Sequence, residues 1–192
     1  MTLRNTLSRS SLAVAALTLP VIAYAHPGHS HGLHGFEAGF MHPVMGLDHL
    51  LGLLALGLVS ARFRGAQAAT YGGVIAASLA VGLLVGRLVG GFSGLEYALS
   101  ASLALVAVPL LWQRAGNLAA ASAIAAVVAG VHAMAHGIEL HGTVALLGFV
   151  LSSVAIVAAG HGVGRVLARQ PLAQAVFGCI VAAFGVWSLL GA

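Results

Sequence analysis

The sequence predicts an all-α fold: a polytopic membrane bundle of six transmembrane helices behind a cleaved N-terminal signal peptide. Three observations predict it. Mean hydropathy is +1.03, and only 6% of the 192 residues are charged, with no lysine among them. A soluble domain carries about a quarter charged residues, so this chain cannot cover a water-facing surface and lipid must be its main solvent. Long apolar stretches, separated by brief breaks, recur along most of the chain. The arginines fall on alternate breaks.

The N-terminus has the three parts of a secretory signal. Arg4 and Arg9 form a basic segment, Leu12 to Leu19 a short apolar core that Pro20 breaks, and Ala23-Tyr24-Ala25 an A-x-A cleavage site. That core is shorter than the roughly 20 residues a bilayer requires. Residues 1–25 are therefore expected to leave the protein, with His26 as the mature periplasmic N-terminus. Residues 26–39 follow as a His-rich periplasmic segment, and 40–192 as one transmembrane domain. Spans are expected at roughly 40–61, 68–89, 95–113, 118–138, 143–164 and 173–191.

With a periplasmic N-terminus, the connections after spans one, three and five face the cytoplasm. They carry Arg62, Arg64, Arg114, Arg165 and Arg169, whereas the outer side carries only Arg87, near Glu96. This is the positive-inside pattern of a bacterial inner-membrane protein. The net charge of +4 does not indicate nucleic acid, because the arginines are scattered and have no aromatic-basic stripe. The single Cys179 excludes an intrachain disulfide framework and a Cys-rich zinc site, and reads as a small packing residue. Gly82, Gly86 and Gly90, and again Gly160 and Gly164, are spaced for close helix approach in lipid. The same spacing also fits hinges.

Charged residues inside a span cost roughly 2.5–3.5 kcal/mol each, so each needs a reason. The first cluster is His42, Asp48 and His49, in the outer half of span one when counted back from Arg62 and Arg64. On a regular helix His42 and His49 share a face but stand about 10.5 Å apart along the axis. One ion cannot bridge that gap, but Pro43 and Gly46 permit an irregular outer end that folds His42 inward. Met45 offers a thioether, or simply packs. The second cluster is His132, His136 and Glu139, with His141 beyond it. His132 and His136 are an i, i+4 pair, which places two imidazoles on one helix face within reach of a single ion. Counted out from Arg114, this cluster reaches the same side and depth as the first. Imidazole and carboxylate together suit Ni, Co, Cu or Zn.

Glu96 opens span three, either pairing with Arg87 or guarding the entrance to a metal site. His161, one turn before Arg165, is either an exit ligand or an interfacial polar residue. His26, His29, His31 and His34 form a tract that either captures metal or is a solvated leader.

These residues resemble the HupE/UreJ family. The likeness rests on the signal peptide ending before His-Pro-Gly-His, the H-x5-D-H run from His42 to His49, and the H-x3-H-G-x-E run from His132 to Glu139. It covers the whole mature chain. Where the family's second motif often begins Phe-His-Gly, this chain has Val131-His132-Ala133. The resemblance implies a six-span nickel or cobalt permease associated with hydrogenase and urease maturation proteins. It implies that His42, Asp48, His49, His136 and Glu139 carry the signatures, and that Glu96 matches an acidic residue opening the third span.

The expected function is import of Ni²⁺ or Co²⁺ across the inner membrane, the ion being cargo, with no cofactor required and no enzymatic activity. Two rivals stand beside it: a membrane metal sensor or chaperone, and a metal-dependent membrane enzyme. Against the enzyme, no nucleophile or substrate-binding segment is identifiable. No Walker A sequence is present, so the chain does not itself hydrolyse ATP.

Overall fold

The computed structural model describes residues 33–112 and 117–191, and every regular element among them is helical. In chain order these are α1 (Gly35–Met45), α2 (Leu47–Ser60), α3 (Ala66–Val89), α4 (Leu95–Leu111), α5 (Leu118–Glu139), α6 (Thr143–Val166), a 3-10 turn (Leu167–Arg169) and α7 (Pro171–Gly191). The expected signal peptide with Arg4 and Arg9, the tract residues His26, His29 and His31, and Arg114 lie outside the described residues.

Four helices are long and apolar enough to cross a bilayer: α3, α5, α6 and α7, with hydropathies of 1.9 to 2.2. The pair α1–α2 passes the same test only when its two halves are joined, and α4, at 17 residues, is apolar but shorter. Their outward faces carry Leu88, Val89, Val166, Leu172 and Leu190, each more than 70% exposed. Large apolar side chains left bare on these helices suit lipid rather than water. The chain is a multi-pass membrane protein.

The first expected span, 40–61, is not one helix. It starts at Gly35 and is broken at Gly46, where α1 and α2 meet at 76°. Gly46 is extended (φ −80°, ψ 109°), and its N–H closes α1 on the His42 carbonyl. Pro43 lies inside α1 without an N–H to donate, so the Gly39 carbonyl loses its intrahelical partner just before the break. The third span ends at Leu111, two residues short of its expected end, and the last begins at Pro171, where a proline suits a first helical turn.

Glycines weld the helices in pairs. A Cβ on Gly82 or Gly86 of α3 would overlap the carbonyl of Gly130 or Met134 on α5, and one on Gly137 of α5 would overlap that of Leu83. Gly57 of α2 and Gly160 of α6 meet in the same way, while Gly39 of α1 and Gly148 of α6 seat against Ala145 and Phe36. Gly185 of α7 lies against the Ser100 carbonyl of α4. These positions are packing contacts rather than hinges. Gly90, the last of the glycine run in α3, has open space around it and a φ of +83°, and it ends the helix.

One end of the bundle is tied by Arg62. Its guanidinium donates to the Pro109 carbonyl of α4 and to Gln174 Oε1 of α7, and Gln174 Nε2 donates to the Leu167 carbonyl. Between the two ends runs an apolar core that includes Leu56, Leu103, Val106, Ala125, Val128 and Val181, all at or below 1% exposure.

The glycine seams set a prediction. Gly86→Leu is expected to cost at least the roughly 1–3 kcal/mol typical of overpacking, because backbone blocks the added atoms. Gly72→Ala, which meets nothing within 4 Å, is expected to be neutral or mildly stabilising. Thermal unfolding of both variants in detergent checks the pair, and equal midpoints would show that the α3–α5 seam is not close-packed.

Candidate metal centre

The six residues singled out in the sequence come together at the end of the bundle opposite Arg62. The break at Gly46 supplies half of them. Because α1 turns away at that point, His42, at its end, folds back over the start of α2, where Asp48 and His49 lie in the first turn. A Cβ on Gly46 would stand 3.0 Å from His49 Nδ1 and 3.1 Å from Asp48 Oδ1. A side chain there would crowd both groups. The positive end of α2 also favours the Asp48 carboxylate. The other half comes from the last two turns of α5, which carry His132, His136 and Glu139.

Four imidazoles form one contiguous file. Ring centroids are 4.4 Å apart for His42–His136, 4.1 Å for His136–His49 and 4.6 Å for His49–His132. His42 and His49 are 6.3 Å apart. The i, i+4 pair of α5 therefore does not converge on a single point. Four residues of helix separate its rings by about 6 Å of rise, and His49 inserts between them.

The ligand atoms accordingly fall into two groups, each within 4.8 Å: His42, His136 and Glu139, and Asp48, His49 and His132. In the outer group Glu139 Oε2 is 3.3 Å from His42 Nε2 and 3.5 Å from His136 Nδ1. Those separations are long for hydrogen bonds. They suit donors that share an ion, since two atoms each about 2.1 Å from a metal stand about 3.0–3.4 Å apart at angles from 90° to tetrahedral. Glu139 is half exposed, so this group opens outward, whereas His132 and His49 of the inner group are 4% and 7% exposed.

Hydrogen bonds orient the inner rings. His49 Nδ1 lies 2.9 Å from Asp48 Oδ1, so the ring donates there and its lone pair rests on Nε2. That Nε2 is buried and has no hydrogen-bond partner, and neither nitrogen of His136 has one. Buried polar atoms without partners are costly in a folded interior. Three of them in neighbouring imidazoles mark a place built for something other than stability. His132 Nε2 contacts Ser102 Oγ at 2.9 Å, and Phe149 packs its ring 4.4 Å from that of His136. Neither Ser102 nor Phe149 carries a sequence signal, because serines and phenylalanines are scattered through the spans.

The remaining candidates are placed as follows. Glu96 does not pair with Arg87; among the described residues every ion-pair contact involves a histidine of this site. Instead Glu96 and Asp48 both line a chamber of about 660 Å³ between α2, α4 and α7, with Ser100, Trp187 and Ser188. His161 lies far from the cluster, with Nδ1 2.8 Å from Ser60 Oγ. Met45 is 48% exposed and belongs to neither group. His34 and His141 are exposed.

Fold and site define a multi-pass membrane protein with a file of four histidines, three of them buried, flanked by carboxylates at one end of its bundle. The family described as HupE / UreJ protein matches residues 14–188. The chain is also 32% identical over 189 residues to Protein HupE of Rhizobium leguminosarum bv. viciae, covering 96% of each chain. It belongs to the HupE/UreJ family. No solved structure matches it.

The unpartnered nitrogens of His136 yield a prediction about stability. His136→Leu removes two buried polar atoms, each carrying a desolvation cost of about 1–3 kcal/mol. The metal-free variant is expected to unfold in detergent at a midpoint equal to or above that of the wild type. A clear fall in the midpoint would mean that the ring is held for packing.

Proposed function

We propose that this protein is a permease that moves a divalent transition-metal ion, Ni²⁺ or Co²⁺, from the periplasm to the cytoplasm across the bacterial inner membrane, in the service of hydrogenase or urease maturation. The observation that carries the reading is the file of imidazoles running from the half-exposed Glu139 to the buried His132. A sensor or a structural site needs one set of ligands. Two adjoining sets, one flanked by the half-exposed Glu139 and the other by Asp48 at the chamber wall, suit an ion that sheds water in stages. Neutral imidazole with carboxylate matches borderline metals such as Ni²⁺ and Co²⁺.

In this reading the ion is the substrate. His42, His136 and Glu139 receive it, His49 faces both groups, and Asp48, His49 and His132 hold it next. The chamber lined by Glu96 and Asp48 gives the inner group a second, water-accessible wall with two carboxylates. The tract His26 to His34 collects ions ahead of the site. The six-span arrangement has α1 and α2 as one broken span and α4 as a short one. Broken helices at membrane depth are tolerated where they line a cavity or a binding site. An inside-negative potential favours inward movement by about 2.3 kcal/mol per charge per 100 mV, and by about twice that for a divalent ion. His161, beside Ser60 toward the Arg62 end, is the candidate for the exit.

Radiolabelled nickel and cobalt uptake into proteoliposomes tests the reading. Wild-type protein is expected to accumulate metal, and Asp48→Asn to lose at least nine-tenths of the rate, an effect of about 1.4 kcal/mol or more. No accumulation by folded wild-type protein would sink the permease assignment. Glu96→Gln is expected to slow uptake without lowering the unfolding midpoint, and unchanged uptake would remove the chamber from the path. Deleting residues 26–34 is expected to reduce uptake at low metal and to spare it at saturation, measured as a rise in KM alone.

A further inference from the structure

We propose that Ser102 sets the tautomer of His132, and thereby fixes Nδ1 as the nitrogen this ring presents to an ion. The proposal rests on the reading that the inner group binds a metal. The argument begins from a proton count. A serine hydroxyl has one proton, and Ser102 Oγ lies 2.7 Å from the Leu99 carbonyl, which can only accept. The proton is committed there, in the back-bond common to serines inside helices. The same Oγ is 2.9 Å from His132 Nε2, so at that contact the oxygen accepts and the imidazole donates. A neutral ring protonated at Nε2 keeps its single lone pair on Nδ1.

Both partners are buried, Ser102 at 3% and His132 at 4%. Ser102 is thus a positioning residue: it binds no ion and acts through the ring it orients. It is also the direct hydrogen bond from α4 to the histidine file. The same device occurs elsewhere in the bundle with the opposite result. Ser60 Oγ donates to the Gly57 carbonyl at 2.6 Å and lies 2.8 Å from His161 Nδ1, which leaves the lone pair of His161 on Nε2. Asp48 treats His49 likewise. Each of these three rings has its proton assigned by a neighbouring group before any metal arrives.

The test uses the metal-free full chain in lipid nanodiscs, labelled with ¹⁵N-histidine, with the His132 signals assigned by their loss in His132→Gln. Long-range ¹H–¹⁵N spectra are expected to show His132 protonated at Nε2 in the wild type and in Ser102→Thr, and redistributed toward Nδ1–H in Ser102→Ala. Ni²⁺ titration is expected to give affinity about 10–100-fold weaker in Ser102→Ala, with Ser102→Thr within a few-fold of wild type. A wild-type ring protonated at Nδ1, or an alanine variant with tautomer and affinity unchanged, would overturn the proposal. Should Ser102→Ala not fold, the wild-type spectrum and the threonine variant still decide it. A ring protonated at Nε2 in protein that binds no divalent ion would overturn the transport reading and uphold the tautomer assignment.

Discussion

The constraint on which the site depends is the interruption of the first span at Gly46. On an unbroken helix His42 and His49 stand about 10.5 Å apart along the axis, too far for their rings to belong to one file. The 76° turn between α1 and α2 brings the two rings to 6.3 Å and leaves room for His136 beside both. The break also makes Asp48 a first-turn residue of a new helix, where the helix dipole stabilises its charge. Gly46 has an ordinary φ of −80°, so its importance is spatial: a Cβ there would press on His49 Nδ1 and Asp48 Oδ1 at about 3 Å and oblige both to shift.

A second constraint is the absence of any hydrophobic force between helices in lipid. Close backbone contact takes its place, and glycine makes that contact possible at α3–α5, α1–α6, α2–α6 and α4–α7. Packing and site meet on α5, where Gly137 of the α3–α5 seam directly follows His136. At the far end Arg62 joins the close of α2 to α4 and α7, and it does so with partly buried hydrogen bonds rather than glycine.

Much of this was legible in the sequence. Hydropathy and the arginine pattern identify a helical membrane protein, and the cost of burying charge points to His42, Asp48, His49, His132, His136 and Glu139. The role of Pro43 and Gly46 as a weak point was also readable, because one residue lacks a donor and the other a side chain. The size of the bend was not, since the packing of α1 against α6 decides it. Spacing alone placed His132 and His136 on one face but could not show His49 inserted between them, which is a contact across helices. For Glu96 the sequence left open a pair with Arg87 or a place at a metal entrance, and the side chain lines a chamber shared with Asp48. Ser102 gave no signal, because its meaning comes from where its single proton goes.

The glycine seams divide the bundle into three welded units, α3 with α5, α1 and α2 with α6, and α4 with α7. The histidine file lies where they meet. His42, Asp48 and His49 ride on one unit, His132, His136 and Glu139 on another, and Ser102 and Glu96 on the third. Every contact that defines either ligand group crosses a boundary between units, except those of Asp48 with His49 and of His136 with Glu139. A slide of one unit against another by an ångström would therefore change the donor set while each seam stayed closed. The geometry of a trihedral joint, rather than the softness of any one helix, determines how this site responds to displacement.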